Sequence, residues 1–139
     1  MQLFVGVAVI CMTAYVHSVV LAGALKLAPQ VVVWVKRNPS TLRVASGLSV
    51  SVLWIMTAHI LEAALWAALF LGLGIFTAIE EAMYFALVAY TTLGFGDITL
   101  PTQWRILSGL VAANGFLVFG WSTAFQVEYL SQMHSTAEA

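Results

Sequence analysis

Three long apolar segments, separated by shorter polar stretches, dominate the chain. They occupy residues 3–28, 44–75 and 106–127, and each is long enough for the roughly 20 residues that a membrane-spanning helix requires. Residues 77–102 differ from these segments because they combine polar residues, glycines and a proline. The pattern predicts an all-α membrane protein with three transmembrane helices per chain and a re-entrant segment between the second and the third.

The composition supports a membrane location and excludes several classes of function. Hydrophobic residues make up 62% of the chain and charged residues 8%, which lies far outside the range of a soluble domain. The net charge of -1 gives no electrostatic basis for binding nucleic acid. No nucleophile–base pair, metal-ligand set or phosphate-binding loop is evident in the sequence, so we expect neither an enzyme nor a cofactor.

The basic residues predict the orientation of the chain in the membrane. Lys26, Lys36, Arg37 and Arg43 lie near the first connection, whereas the second connection contains Arg105. The positive-inside rule then places the first connection and the C-terminus in the cytoplasm and the N-terminus outside. We expect a multi-pass protein of the cell membrane, either a plasma or a bacterial inner membrane, surrounded by membrane lipids.

Two short signals predict where helices begin. Pro39 cannot continue a helix, and Ser40 or Thr41 can cap the second helix after this break. Thr77 and Glu80 have the spacing of a capping box, in which both side chains bond backbone N–H groups at a helix start. The sequence therefore predicts a short apolar helix at about 78–90.

The segment after this short helix carries the most specific signal in the chain. It reads Thr91-Thr92-Leu93-Gly94-Phe95-Gly96-Asp97. Glycines that alternate with larger residues allow a backbone whose successive carbonyls point the same way. Four such strands around an axis, with the Thr92 hydroxyls, supply an oxygen cage that replaces the hydration shell of K⁺. Because one chain provides only a quarter of this cage, the sequence predicts a homotetramer.

In this segment the chain resembles the potassium channel pore family, whose filter reads Thr-Val-Gly-Tyr-Gly-Asp. The corresponding residues here are Thr92-Leu93-Gly94-Phe95-Gly96-Asp97. Tyr84-Phe85 stand where the family has an aromatic pair on its pore helix, and residues 115–124 resemble the family's inner helix. The resemblance covers about residues 44–130.

The resemblance implies a tetrameric potassium-channel pore and assigns a role to several residues. Thr92, Leu93, Gly94, Phe95 and Gly96 would form the selectivity filter, with K⁺ bound at the first four. Asp97 would lie at the outer mouth, Phe116, Phe119 and Thr123 would line the central cavity, and Gly115 would be the hinge glycine. The permeant K⁺ ions are the ligands expected, and the implied function is potassium-selective passive conduction.

On this basis the chain divides into four parts. These are an extra N-terminal transmembrane helix (1–28), a cytoplasmic connection (29–43), a pore module (44–130) and a short cytoplasmic tail (131–139). Within the pore module, we expect the pore helix at about 78–90, the filter at 92–97 and the inner helix at about 103–130.

Two other functions are compatible with the same residues. Leu93 replaces the usual Val or Ile, and Phe95 lacks the Tyr hydroxyl that braces the filter, which is compatible with a weakly selective cation channel. The second alternative function is that of a non-conducting membrane subunit, which uses the pore fold to regulate another protein. An unidentified regulatory subunit is also compatible with the sequence.

His59 and Glu62 lie three residues apart on one face of the second apolar helix. Ionisable groups in a membrane are expensive and usually pair with one another, so we expect both to face protein. Two roles remain open. One is a structural clamp, in which Glu62 with His59 or Arg105 satisfies polar groups at the outer end of the pore helix. The other is a pH sensor, because a histidine beside a carboxylate can titrate near neutral pH.

Three further residues have simple structural interpretations. His17 is expected to be a hydrogen-bonded packing residue, since no second ligand type lies at helical spacing from it. Asn114 is expected to bond a neighbouring helix rather than line the cavity, and Gly115 is compatible with close helix packing as well as with a hinge.

Overall fold

Four α-helices and one short 3₁₀ turn form the part of the chain that the computed structural model describes, residues 1–38 and 40–134. The elements are α1 (Gln2–Lys36), α2 (Thr41–Gly72), α3 (Ile79–Tyr90), the 3₁₀ turn (Thr102–Trp104) and α4 (Arg105–His134). Three of the helices are long and apolar enough to cross a membrane: α1, α2 and the segment from the 3₁₀ turn through α4. The predicted all-α fold with three spanning helices is confirmed.

The first helix is longer than the sequence pattern predicted. We expected a helix over 1–28 and a connection over 29–43, but α1 continues through Pro29 to its end at Lys36. A proline normally interrupts a helix because it removes one N–H donor and clashes with the preceding turn. Beyond the proline, however, Val32 is buried and belongs to the same apolar cluster as Tyr129 of α4. Burial of this helix face explains why the helix persists past the proline.

The start of α2 agrees with the predicted cap. Ser40 is the N-cap residue, and its hydroxyl oxygen accepts a hydrogen bond from the Arg43 backbone N–H at 3.3 Å. Pro39, on which the predicted break also depended, lies outside the described residues, as do residues 135–139 of the predicted tail.

The start of α3 differs from the prediction. Its N-cap is Ala78, and no side chain caps it, so the predicted capping box of Thr77 and Glu80 is not formed. Thr77 precedes the N-cap by one residue, which moves its hydroxyl out of the capping position. Glu80 and Glu81 nevertheless lie in the first turn, where their negative charges suit the positive end of the helix dipole.

The short helix α3 is held between two of the long helices. It packs against α2 and α4, and α1 also packs against both of these helices. Trp66 and Phe70 of α2, Phe85 of α3 and Val111 of α4 belong to one buried apolar cluster. Residues 91–97 therefore follow a helix that is packed between the two helices beside it.

Candidate ion-conduction site

Residues 92–96 follow α3 as a segment whose backbone alternates in handedness. The φ angle is positive at Thr92 (63°), Gly94 (56°) and Gly96 (79°), whereas Leu93 and Phe95 keep the ordinary negative sign. Glycine adopts a positive φ at little cost, but a residue with a Cβ pays roughly 1–2 kcal/mol. The strained Thr92 therefore indicates that the surrounding structure imposes the alternation.

Two hydrogen bonds hold the segment against the last turn of α3. The backbone N–H of Thr92 donates to the Ala89 carbonyl at 3.0 Å, and that of Gly94 donates to the Val88 carbonyl at 3.3 Å. Among the described residues, no hydrogen bond is donated to a backbone carbonyl of residues 92–96. Within the described subunit these carbonyl oxygens are not used in backbone hydrogen bonding.

The outer end of the segment is tied back to α3 by Tyr84. Its hydroxyl donates a hydrogen bond to Asp97 Oδ2 at 2.6 Å. This bond stabilises the carboxylate and holds the pKa of Asp97 below its usual value. Asp97 therefore stays ionised at the end of the segment, where the resemblance placed the outer mouth.

The three residues expected to line a cavity differ in their surroundings. Phe116 is 71% exposed, and Thr123 is exposed, with its hydroxyl bonded to the carbonyl one turn earlier. The ring of Phe119 instead stacks on His59, with 4.2 Å between centroids, and contacts Tyr90. Phe116 and Thr123 have surface available for a cavity, whereas Phe119 is largely engaged inside the subunit.

Gly115 lies where α4 approaches the end of α3 most closely. A Cβ built at this position would stand 1.9 Å from the Tyr90 carbonyl oxygen and 2.8 Å from its carbon, far inside contact distance. The structure thus gives Gly115 a packing role next to the filter segment; its role as a hinge stays a prediction. Asn114 beside it donates to Thr13 Oγ1 at 2.9 Å, as expected for a bond between helices.

His59 and Glu62 are both buried, at 5% and 0% exposure, so they face protein as expected. Glu62 Oε1 lies 2.9 Å from His17 Nδ1, and Glu62 Oε2 accepts a hydrogen bond from the Tyr90 hydroxyl. These contacts lie at the C-terminal end of α3, which residues 92–96 follow. Of the two predicted partners of Glu62, His59 contacts it, with 3.4 Å between Nδ1 and Oε2, whereas Arg105 is not among the contacts of Glu62 in the described residues. The predicted position at the outer end of α3 is wrong, because Tyr90, which contacts Glu62, is the last residue of this helix.

Three members of this cluster could not be assigned from the sequence. His17 comes from α1, Tyr90 from α3 and Ser122 from α4, and each is buried. They lie far from His59 and Glu62 in sequence, so helical spacing alone does not connect them. The usable signal was the presence of polar side chains inside several apolar spanning helices, since such groups usually meet one another.

Together, two spanning helices that flank a re-entrant helix and a carbonyl-bearing segment define the pore fold of an ion channel. A family model described as "Ion channel" matches residues 49–132, which is more than half of the chain. The chain belongs to this ion channel family, whose model represents the two-helix pore domain of potassium channels. The match begins within α2, and so α1 is an additional helix. Neither the curated proteins nor the solved structures gave a match to this chain.

Proposed function

We propose that this ion channel is a potassium-selective homotetramer that conducts K⁺ passively. The observation that carries the proposal is the alternation of φ at Thr92, Gly94 and Gly96 along a segment whose carbonyls accept no hydrogen bond within the described subunit. Irregular backbone inside a membrane is tolerated where it lines a pathway for ions or is buried in protein.

The segment has the chemistry that a dehydrated monovalent cation needs. Rings of backbone carbonyls, with the Thr92 hydroxyls below them, replace the water around K⁺. α3 ends immediately before the segment, so the negative end of its dipole lies beside the ion path. We assign K⁺ binding to Thr92, Leu93, Gly94 and Phe95, with Gly96 completing the filter.

The exposure of the filter side chains supports assembly around an axis. Leu93 and Phe95 are 62% and 66% exposed in the single chain, next to carbonyls without hydrogen bonds. Water is a poor environment for the apolar side chains, and lipid is a poor environment for the carbonyls. Neighbouring subunits can cover the apolar side chains and leave the carbonyls facing a central ion. A closed ring of four copies satisfies both requirements.

The orientation follows from the distribution of charge. We place the N-terminus outside and the C-terminus in the cytoplasm of the cell membrane, because the basic residues concentrate at the α1–α2 connection. Arg43 lies over the Trp34 ring, 5.0 Å from its centroid, and such Arg–Trp pairs suit the membrane–water boundary. Asp97 and the outer mouth then face the outside.

Weak selectivity is the main competing function, because Phe95 lacks the hydroxyl that braces related filters. The Tyr84–Asp97 hydrogen bond supports a filter that is held rigidly despite that loss. Reversal potentials in planar bilayers, with K⁺ on one side and Na⁺ on the other, separate the two functions. We expect a reversal potential close to that of a K⁺-selective membrane. A value near zero would instead establish a weakly selective pore. The absence of any current would indicate a non-conducting subunit.

A further inference from the structure

All four helices bring one polar cluster together in the interior of the subunit. The cluster consists of His17 of α1, His59 and Glu62 of α2, Tyr90 of α3 and Ser122 of α4. Its members are between 0% and 6% exposed. One nitrogen each of His17 and His59 and one carboxylate oxygen of Glu62 lie within 4.8 Å of one another. The roles expected from the sequence, a clamp or a pH sensor, did not include His17.

Ser122 fixes how the two imidazoles are oriented. Its hydroxyl lies 3.1 Å from the Val118 carbonyl, to which it donates, and its oxygen lies 3.2 Å from His17 Nε2 and 3.0 Å from His59 Nε2. A hydroxyl oxygen has two acceptor lone pairs, so it can accept an N–H from each ring. In the arrangement in which both rings donate to Ser122, each histidine carries its hydrogen on Nε2 and turns the lone pair of Nδ1 towards Glu62.

The other side of the cluster contains too few hydrogens for its contacts. His17 Nδ1 lies 2.9 Å from Glu62 Oε1, and His59 Nδ1 lies 3.4 Å from Oε2 and 3.2 Å from the Tyr90 oxygen. In that arrangement, with Glu62 ionised and the imidazoles neutral, only the Tyr90 hydroxyl brings a hydrogen, and it donates to Glu62. The remaining contacts then set one lone pair against another. A positive charge placed between these atoms removes the conflict.

The spacing of these atoms suits a divalent transition metal. Ligand atoms about 2.0–2.1 Å from a tetrahedral Zn²⁺ lie about 3.3 Å from one another. His17 Nδ1 lies 2.9 Å from Glu62 Oε1 and His59 Nδ1 lies 3.4 Å from Glu62 Oε2, so each ring nitrogen is at about this spacing from one of the two carboxylate oxygens. Two histidines and one glutamate form a common zinc ligand set, and Tyr90 or a solvent molecule can occupy the fourth position. Ser122 then bonds the second nitrogen of each ligating ring, as outer partners of metal ligands usually do.

We propose that His17, His59 and Glu62 bind one divalent transition-metal ion, of the Zn²⁺ type, in each subunit. The site joins α1 to the pore domain directly below the filter, because Tyr90 is the last residue of α3 and its hydroxyl contacts Glu62 and His59. The site does not depend on which ion the pore conducts.

The test is metal binding by the purified full chain in detergent or lipid nanodiscs. After metal removal with a chelator, the protein is titrated with Zn²⁺ and with Co²⁺, followed by elemental analysis and by the visible absorption of Co²⁺. We expect about one metal per subunit, a Co²⁺ spectrum of four-coordinate type, and a higher unfolding temperature of the metal-loaded protein. If the wild-type chain does not bind Zn²⁺ or Co²⁺ stoichiometrically, the proposal is overturned, independently of any result with variants.

Variants assign the binding to these side chains. Glu62→Gln and His17→Gln should abolish the Co²⁺ spectrum, and Ser122→Ala should weaken the affinity roughly 10–100-fold, as loss of an outer hydrogen bond does. Glu128→Gln is the matched control, because Glu128 is an exposed carboxylate on α4. Equal binding by Glu62→Gln and the wild type would overturn the site.

Discussion

Thr92, Gly94 and Gly96 are the residues on which the proposed oxygen cage depends most directly. Their positive φ angles turn alternate peptide units over, and a Cβ at Gly94 or Gly96 would meet nothing within 4 Å. At these two glycines a larger side chain is therefore opposed by the backbone angle and not by crowding within the subunit.

We predict that Gly94→Ala stops conduction without preventing membrane insertion. At a φ of 56° an added Cβ costs roughly 1–2 kcal/mol in each subunit, and a change of backbone angle removes a carbonyl from the cage. K⁺ flux in liposomes should fall at least about tenfold, the factor that corresponds to 1.4 kcal/mol. Gly72→Ala is the control, because Gly72 has an ordinary φ and equally open surroundings. Equal K⁺ flux in the two variants would mean that Gly94 does not line the conduction pathway.

We predict that Tyr84→Phe lowers the stability of the folded protein by an amount that depends on pH. The Tyr84 hydroxyl lowers the pKa of Asp97 below its ordinary value of 3.8, so the bond stabilises the folded protein fully above that value and loses its effect as the pH falls through the lowered pKa. The difference in unfolding temperature between wild type and variant should be constant near neutral pH and shrink in acid.

Unfolding scans from neutral pH down to acid, with Tyr15→Phe as the control on an exposed tyrosine of α1, test this prediction. A wild-type advantage that persists or grows as Asp97 becomes protonated would contradict the assigned bond.

At the scale of elements, the contact between α3 and α4 lies next to the start of the proposed filter. Gly115 allows the α4 backbone to approach the Tyr90 carbonyl, and the Tyr90 side chain on the other side contacts His59 and Glu62 of α2. The end of the re-entrant helix is thus held by both spanning helices of the pore domain.

We predict that Gly115→Ala destabilises the protein. Overpacking a filled interior typically costs about 1–3 kcal/mol, and here the clash is with backbone, which cannot rotate away. The unfolding temperature should drop clearly relative to Gly109→Ala, a control in the same helix where an added Cβ meets nothing within 4 Å. Unchanged stability with altered channel opening would instead support the hinge role.

The spanning helices could be predicted because their signal is local: apolar length identifies them. The assignment of Thr92, Gly94 and Gly96 to a filter also depends on a local signal, and it stays a prediction. The length of α1 beyond Pro29 could not be predicted, since burial against α4 outweighs the intrinsic cost of the proline. The cluster around Glu62 could not be predicted either, because His17, Tyr90 and Ser122 reach it from three other helices.

At the scale of the whole molecule, we predict four copies of the chain around the pore axis. A single chain leaves Leu93 and Phe95 mostly exposed and supplies a quarter of the proposed cage. Native mass spectrometry of the purified protein should show a tetramer as the main species. A stable monomer or dimer that still conducts would contradict the shared pore.

Potassium flux against sodium flux, in liposomes that contain only this chain, tests the central claim most directly. We predict rapid K⁺ flux, much slower Na⁺ flux, and loss of K⁺ flux in liposomes prepared with Gly94→Ala in place of the wild type. Equal rates for the two ions, or no flux of either from correctly inserted protein, would contradict the assignment of residues 92–96 as a potassium-selective filter.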